Sequence, residues 1–245
     1  MLKAILKSNW FPYLAIFTVV VAYYTPILTN PSLILNRGND LEEFFWPIFN
    51  YVKNSILTSS VVPLWNTLFL AGTPLLPDPQ SPIFYVPNLI ALILPLDTFF
   101  ITSFVVHSTV AGVAMYLCSK DGFKFSKTTS LLLATLYIVT PKLAGYLEAG
   151  HIGLVYSYSW IPLILLSVIQ IIRLPKTKDV ILLGVSVALL YYSHLPTLIV
   201  VGTTIGFGFI FYNFRGNFNW TYCRFAISTT RGTEHKHQIL TSREA

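Results

Sequence analysis

Long apolar runs constrain the fold of this chain more than any other feature. A helix that crosses the hydrocarbon core of a bilayer needs roughly 20 apolar residues. Candidate spans lie at about 10–29, 98–118, 128–147, 152–172, 179–194 and 196–213. Only 11% of the residues are charged, whereas a soluble domain carries about 25%. The sequence therefore predicts an all-α fold, a polytopic transmembrane helical bundle with about six spans.

The basic residues predict how these spans are oriented. Cytoplasmic loops of membrane proteins are enriched in Lys and Arg. With the N-terminus in the cytoplasm, only Arg37, Lys53 and Lys142 of the 16 basic residues fall outside. A shorter apolar stretch at 83–96 would reverse this pattern if it spanned, so it is predicted to lie in the interface or to re-enter the membrane. We expect a multi-pass plasma-membrane protein with a cytoplasmic N-terminus.

The chain divides into a predicted membrane domain, residues 1–214, and a polar, basic tail, residues 215–245. The first apolar run is not followed by a small-residue cleavage site, so it is predicted to be a retained signal anchor. Residues 30–97 form a large first external loop. Apolar residues at helical spacing in 41–57 predict an interfacial helix within that loop. The tail is interpreted either as a cytoplasmic tail or as the product of a truncated or frameshifted reading frame.

Acidic residues concentrate on the predicted outer side. Asp40, Glu42 and Glu43 lie within four residues of a chain that has only 10 Asp and Glu. Such carboxylates can act as a general base, bind a divalent cation or capture another cation. The alternative is a helix start, with Asn39 or Asp40 as N-cap and acids in the first turn. The sequence leaves both interpretations open.

Further polar candidates fall at other outer turns. Asp78 lies in a proline-rich part of the first external loop, and His194 lies in the segment YYSHLPT. The segment LEAGHIG contains Glu148 and His151. A Glu–His pair can bind metal, shuttle protons or contact a phosphate, although it supplies fewer ligands than a usual metal site. His107 falls mid-span, where a histidine is either a packed, hydrogen-bonded group or a functional one.

Several functional classes are not supported. The chain has no P-loop, no dinucleotide glycine pattern, no CxxC and no nucleophile-elbow motif. Cys118 and Cys223 lie far apart and indicate no disulfide framework. The basic loops are explained by membrane topology, so no nucleic-acid partner is expected.

Several motifs together resemble the YfhO-type bacterial membrane proteins, within the wider group of GT-C glycosyltransferases. The resemblance covers about 35–200, and relatives are considerably longer, so this chain matches only their N-terminal portion. The matching features are Asp40, Pro47, Pro63-Leu64-Trp65-Asn66, Gly72-Thr73-Pro74, Asp78, Pro87-Asn88, Gly150-His151 and Trp160-Ile161-Pro162.

The resemblance implies transfer of a sugar from a polyprenyl-phosphate carrier to a glycan or other acceptor at the outer membrane face. It implies that Asp40 is the catalytic base on the acceptor hydroxyl. On this hypothesis Glu43 and Asp78 position the acceptor or a metal. Glu148, His151 and His194 then line the mouth of the groove for the donor lipid.

The rival prediction is a non-enzymatic protein: a transporter, a flippase or a cell-envelope assembly scaffold. A transporter is expected to place ionisable residues near the membrane midplane. Here only His107 does so, whereas the acids lie on the outer side. An external binding scaffold would fit the outer acids almost as well as an enzyme does.

Overall fold

The structure is a computed structural model that describes residues 9–68, 71–75 and 85–214, and the predicted tail at 215–245 lies outside them. Its described part is all-α, as the sequence predicts. By its internal contacts the chain divides into two compact units, Met1–Ile199 and Val200–Ala245, and the division falls inside the last helix. The first unit contains the helical bundle and the candidate site. In the second unit, the hydroxyls of Thr203 and Thr204 bond back to the Val200 carbonyl within the helix.

The described residues form α-helices of 4 to 22 residues. In chain order they are α1 (Phe11–Thr29), α2 (Ser32–Leu35), α3 (Trp46–Ser59), α4 (Leu96–Leu117), α5 (Lys127–Ile138), α6 (Pro141–Glu148), α7 (Ile152–Arg173), α8 (Thr177–Ser193) and α9 (Leu195–Phe214). A π-helical segment, Leu41–Phe45, leads into α3, and another, Cys118–Gly122, continues α4. Within the first unit, α4 packs against α1, α5 and α7, and α7 packs against α8.

Among the residues that the structure describes, four helical stretches are long and apolar enough to cross a membrane: Phe11–Thr29, Leu96–Gly122, Lys127–Glu148 and Ile152–Arg173. Each coincides with a predicted span. The other two predicted spans are also helical, but α8 has 17 residues and the apolar stretch Leu195–Ile210 of α9 is also shorter than the four. Because a helix of this length and apolarity is typical of a bilayer-crossing segment, the fold is that of a helical membrane protein.

The predicted span at 128–147 consists of two helices, α5 and α6. Thr140 has an extended backbone (φ −65°, ψ 139°), and Pro141 is the first residue of α6. The proline has no N–H to donate, and its ring disfavours helical geometry at the residue before it. The break therefore follows from one residue.

The segment predicted as the first external loop is ordered over most of its described length. Residues 41–57, predicted as an amphipathic helix, form the Leu41–Phe45 segment and most of α3. Of the predicted apolar face, Phe45, Ile48 and Phe49 are buried. Two short antiparallel strands, β1 (Trp65–Asn66) and β2 (Thr73–Pro74), follow. The apolar stretch predicted at 83–96 contains a 3₁₀ helix, Val86–Leu92, and is too short to span.

His107 is a packed, hydrogen-bonded core residue, as one of the two interpretations of this mid-span histidine predicts. Its Nδ1 lies 2.7 Å from the Ser103 carbonyl oxygen, an obligate acceptor, so Nδ1 carries the proton. Its Nε2 therefore accepts from the Tyr85 hydroxyl at 3.1 Å. The ring also stacks on Tyr156 with centroids 4.0 Å apart. His107 thus fixes Tyr85, near the end of the segment 30–97, to the interior of the bundle.

Candidate functional site

Asn39, and not Asp40, caps the helix that starts at the acid cluster. The Asn39 side-chain oxygen accepts the backbone N–H of Glu42 at 3.2 Å, the usual N-cap contact to the third helical residue. Its carbonyl accepts the N–H of Glu43 at 2.9 Å. The Asp40 side chain makes no capping hydrogen bond. Its carboxylate is therefore available for another partner.

That partner lies more than 100 residues away, in the turn between α6 and α7. Residues 37–41 bind this turn through several contacts. The Asp40 N–H donates to the Ala149 carbonyl at 3.2 Å, and the Asn39 amide donates to the Glu148 carbonyl at 3.0 Å. Arg37 forms an exposed ion pair with Glu148 at 3.2 Å. These bonds hold the acid cluster against the segment that contains His151.

Two glycines permit the close approach of the chain segments. Gly150 has φ +76°, and a Cβ there would collide with the Leu41 backbone nitrogen and lie 2.9 Å from the Leu41 Cβ. A Cβ on Gly153 would lie 2.6 Å from the Ser193 carbonyl oxygen. Both glycines of the segment GHIG are thus explained by packing. Gly150 joins the acid cluster to the turn, and Gly153 joins α7 to the end of α8.

The result is a carboxylate–imidazole pair. The Asp40 Oδ2 lies 3.0 Å from the His151 Nδ1, and both side chains are about half exposed, at 57% and 43%. Because a carboxylate only accepts, Nδ1 donates in this contact, and the neutral ring then holds its lone pair on Nε2. A carboxylate that orients an imidazole in this way is a recurring arrangement for proton abstraction.

His194 occupies the adjacent turn, between α8 and α9. Its Nδ1 accepts the Thr197 backbone N–H at 3.3 Å and lies 2.7 Å from the Thr197 hydroxyl. His194 thus caps α9 with its neutral ring and carries its proton on Nε2. Burial, and the nearby His151, lower the pKa of His194 below its usual value of 6.5. A neutral His194 is a hydrogen-bond donor at the site and adds no positive charge.

The three polar residues line one open cavity of about 380 Å³. This volume is within the usual range for small-molecule sites. Among the described residues, the rest of the lining is apolar or backbone. The lining residues are Asp40, Phe44, Phe45, His151, Gly153, Leu154 and His194.

The other sequence candidates that the structure describes do not line this cavity. Glu43 is exposed and does not line the cavity. Glu148 is 70% exposed on its side chain, pairs with Arg37, and borders a separate groove. Asp78 lies outside the described residues. Within the described part of the chain, no group of three or more His, Cys, Asp or Glu side chains is arranged to hold a metal ion.

Sequence reasoning did not find three of the contributing residues. Phe44 and Phe45 form an apolar wall of the cavity, and Thr197 fixes the orientation of His194. The aromatic pair was visible only as part of an apolar helix face. A signal for Thr197 was present in the spacing of HLPT, since a cap contact joins a residue to the third one after it.

The fold and the cavity define a helical membrane protein with a carboxylate–imidazole pair at the ends of its helices. In comparisons with known proteins, no family model, curated protein or solved structure matches the chain.

Proposed function

We propose that the chain is a GT-C-type membrane glycosyltransferase that transfers a sugar from a polyprenyl-phosphate carrier to an extracytoplasmic glycan acceptor. The observation that carries the proposal is the 3.0 Å contact between Asp40 and His151 at the wall of the cavity. Asp40 is the acid that the family resemblance implies as the base. An imidazole that is paired with a carboxylate can deprotonate a hydroxyl.

In the proposed reaction, His151 accepts a proton and Asp40 supports it. The acceptor oxygen attacks the anomeric carbon of the sugar, and its proton passes to the Nε2 of His151. The bond between that carbon and the carrier phosphate oxygen breaks, and the phosphate leaves with the electron pair. Asp40 stabilises the resulting imidazolium and holds the ring in the required tautomer. Asp40 thereby acts through His151, a refinement of its role as a direct base.

Two helix starts support the binding of an anionic donor at this place. His151 immediately precedes α7, and His194 immediately precedes α9. The N-terminus of a helix carries a partial positive charge and unpaired N–H groups, so it favours a phosphate. The apolar wall at Phe44 and Phe45 would contact the first units of the prenyl chain. Membrane lipid would surround the helices.

We propose an orientation with the N-terminus in the cytoplasm and this cavity on the outer side of the plasma membrane. The residues that line two cavities at the helix ends support this orientation. Asn9, Lys120 and Lys127 border one cavity, and Asp40, His151 and His194 border another. The first group is basic, as cytoplasmic ends are, and the second contains the acid cluster.

Cysteine labelling tests the orientation. In a chain with Cys118 and Cys223 replaced by Ser, single cysteines are placed at Glu43 and Lys124, which are both exposed. A membrane-impermeant maleimide added to intact cells is expected to label position 43 and not position 124. Permeabilised cells serve as the control, because both positions should then react. Labelling of position 124 alone in intact cells would reverse the proposed orientation.

A donor-dependent assay tests the reaction. The purified full chain is reconstituted in liposomes with a polyprenyl-phosphate carrier bearing labelled sugar, and a glycan acceptor is supplied in the lumen and outside. A transferase moves the label from the organic extract to the aqueous glycan. A flippase leaves the label on the lipid and changes only the leaflet that carries it. Label that stays on the lipid across a panel of sugars would rule out the transferase proposal.

A further inference from the structure

A second cavity lies where α1 and α5 begin and where α4 ends. Its volume is about 530 Å³. It is lined by Asn9, Trp10, Tyr13, Tyr116, Lys120 and Lys127. Trp10 immediately precedes α1, Lys127 is the first residue of α5, and Lys120 lies in the π-helical segment that continues α4. Since all three positions are ends of apolar helices, the cavity lies at the level where such helices leave the membrane core.

The aromatic side of the cavity is built from three rings in contact. Trp10 meets Tyr13 edge-on with centroids 6.2 Å apart, and Tyr13 meets Tyr116 at 5.8 Å. The Trp10 side of this row is open, because Trp10 is 79% exposed. Trp and Tyr favour the headgroup level, since their rings are apolar at one end and polar at the other.

The other side of the cavity is cationic. The Lys120 Nζ lies 5.7 Å from the centroid of the Tyr116 ring and 3.6 Å from the Asp121 carboxylate, which compensates its charge in part. The Lys127 Nζ donates to the side-chain oxygen of Asn9 at 3.3 Å. That oxygen is neutral, so this contact orients the ammonium without cancelling its charge. Two ammonium groups and an amide thus face a space beside aromatic rings.

From this arrangement we infer that the cavity binds the headgroup phosphate of an anionic phospholipid. The ammonium groups of Lys120 and Lys127 contact the phosphate, and the acyl chains run along the aromatic row toward the hydrocarbon core. Basic pockets between helices on the cytoplasmic side are a known physical solution for such headgroups. The inference is independent of the proposed transferase activity, because it uses none of the residues of the Asp40 cavity.

Native mass spectrometry of the full chain in a neutral detergent tests this site. Phosphatidylglycerol and phosphatidylcholine are titrated separately against the wild type and the K120Q/K127Q variant. We expect one phosphatidylglycerol to bind the wild type in preference to phosphatidylcholine. The variant should lose about fivefold in phosphatidylglycerol affinity for each lysine removed, with phosphatidylcholine binding unchanged. K120R/K127R should retain the preference, because both charges persist.

The matched control is K124Q/K178Q, which removes two exposed lysines that do not line the cavity. It should bind phosphatidylglycerol as the wild type does. An equal loss in the two glutamine variants would overturn the site, since general surface charge would then explain the binding. Competition by inorganic phosphate as strong as that by phosphatidylglycerol would also overturn it, because the site would then take a free anion. The site would also be overturned if the wild type showed no preference for phosphatidylglycerol over phosphatidylcholine.

Discussion

Asp40→Asn is expected to lower the rate of sugar transfer by about 10²–10⁴-fold, because the base His151 then loses the carboxylate that orients its ring. The substitution keeps the size of the side chain and removes its charge. An amide can also donate, so it no longer fixes the proton on the Nδ1 of His151 or stabilises the imidazolium. Transfer of labelled sugar from the carrier lipid to the glycan, measured at equal protein level, gives the rate.

Two further variants make this result specific. Glu43→Gln removes a neighbouring exposed acid that does not line the cavity, and its rate should stay near that of the wild type. Because Asp40 and His151 are proposed to act as a unit, the Asp40→Asn/His151→Ala double variant should be little slower than the slower single variant. Multiplicative losses would show that the two residues act separately. An Asp40→Asn chain as fast as the wild type would remove Asp40 from the mechanism.

Gly150→Ala is expected to destabilise the first unit by about 2–5 kcal/mol. A residue with a Cβ in the left-handed region costs roughly 1–2 kcal/mol, and overpacking adds about 1–3 kcal/mol. At Gly150 the new Cβ meets the backbone of Leu41, which cannot move away as a flexible side chain could. We expect the contact between the acid cluster and the α6–α7 turn to open. The fall in the midpoint of thermal unfolding in detergent measures the loss.

Gly145→Ala is the matched control for this prediction. Gly145 lies in α6, five residues earlier, and a Cβ there meets nothing within 4 Å. Alanine is favoured over glycine inside a helix by up to about 1 kcal/mol, so this variant should be as stable as the wild type or more so. Equal midpoints for the two alanine variants would contradict the role given to Gly150. Loss of transfer in Gly150→Ala alone would link this junction to the site.

The sequence predicted the apolar helices well because each one follows from a continuous run of apolar residues. A run of apolar residues is read directly from the chain, and each predicted span is helical, although the span at 128–147 forms two helices. The break at Pro141 was not predicted, since the apolar run continues across it. The candidate site was predicted residue by residue and without its geometry. Asp40, His151 and His194 share a cavity, whereas Glu43 and Glu148 lie outside it.

By itself, the sequence determined that this chain forms apolar helices, and it predicted that Asp40, Glu42, Glu43 and Glu148 lie on the same side of them. Both properties depend on composition over short windows and on the distribution of charge between them. Only the tertiary structure decided which acid meets which histidine. Asp40 and His151 are far apart in the chain, and their contact depends on the Asn39 bonds and on the close packing at Gly150. Such contacts are set by how helices pack, and no local pattern specifies them.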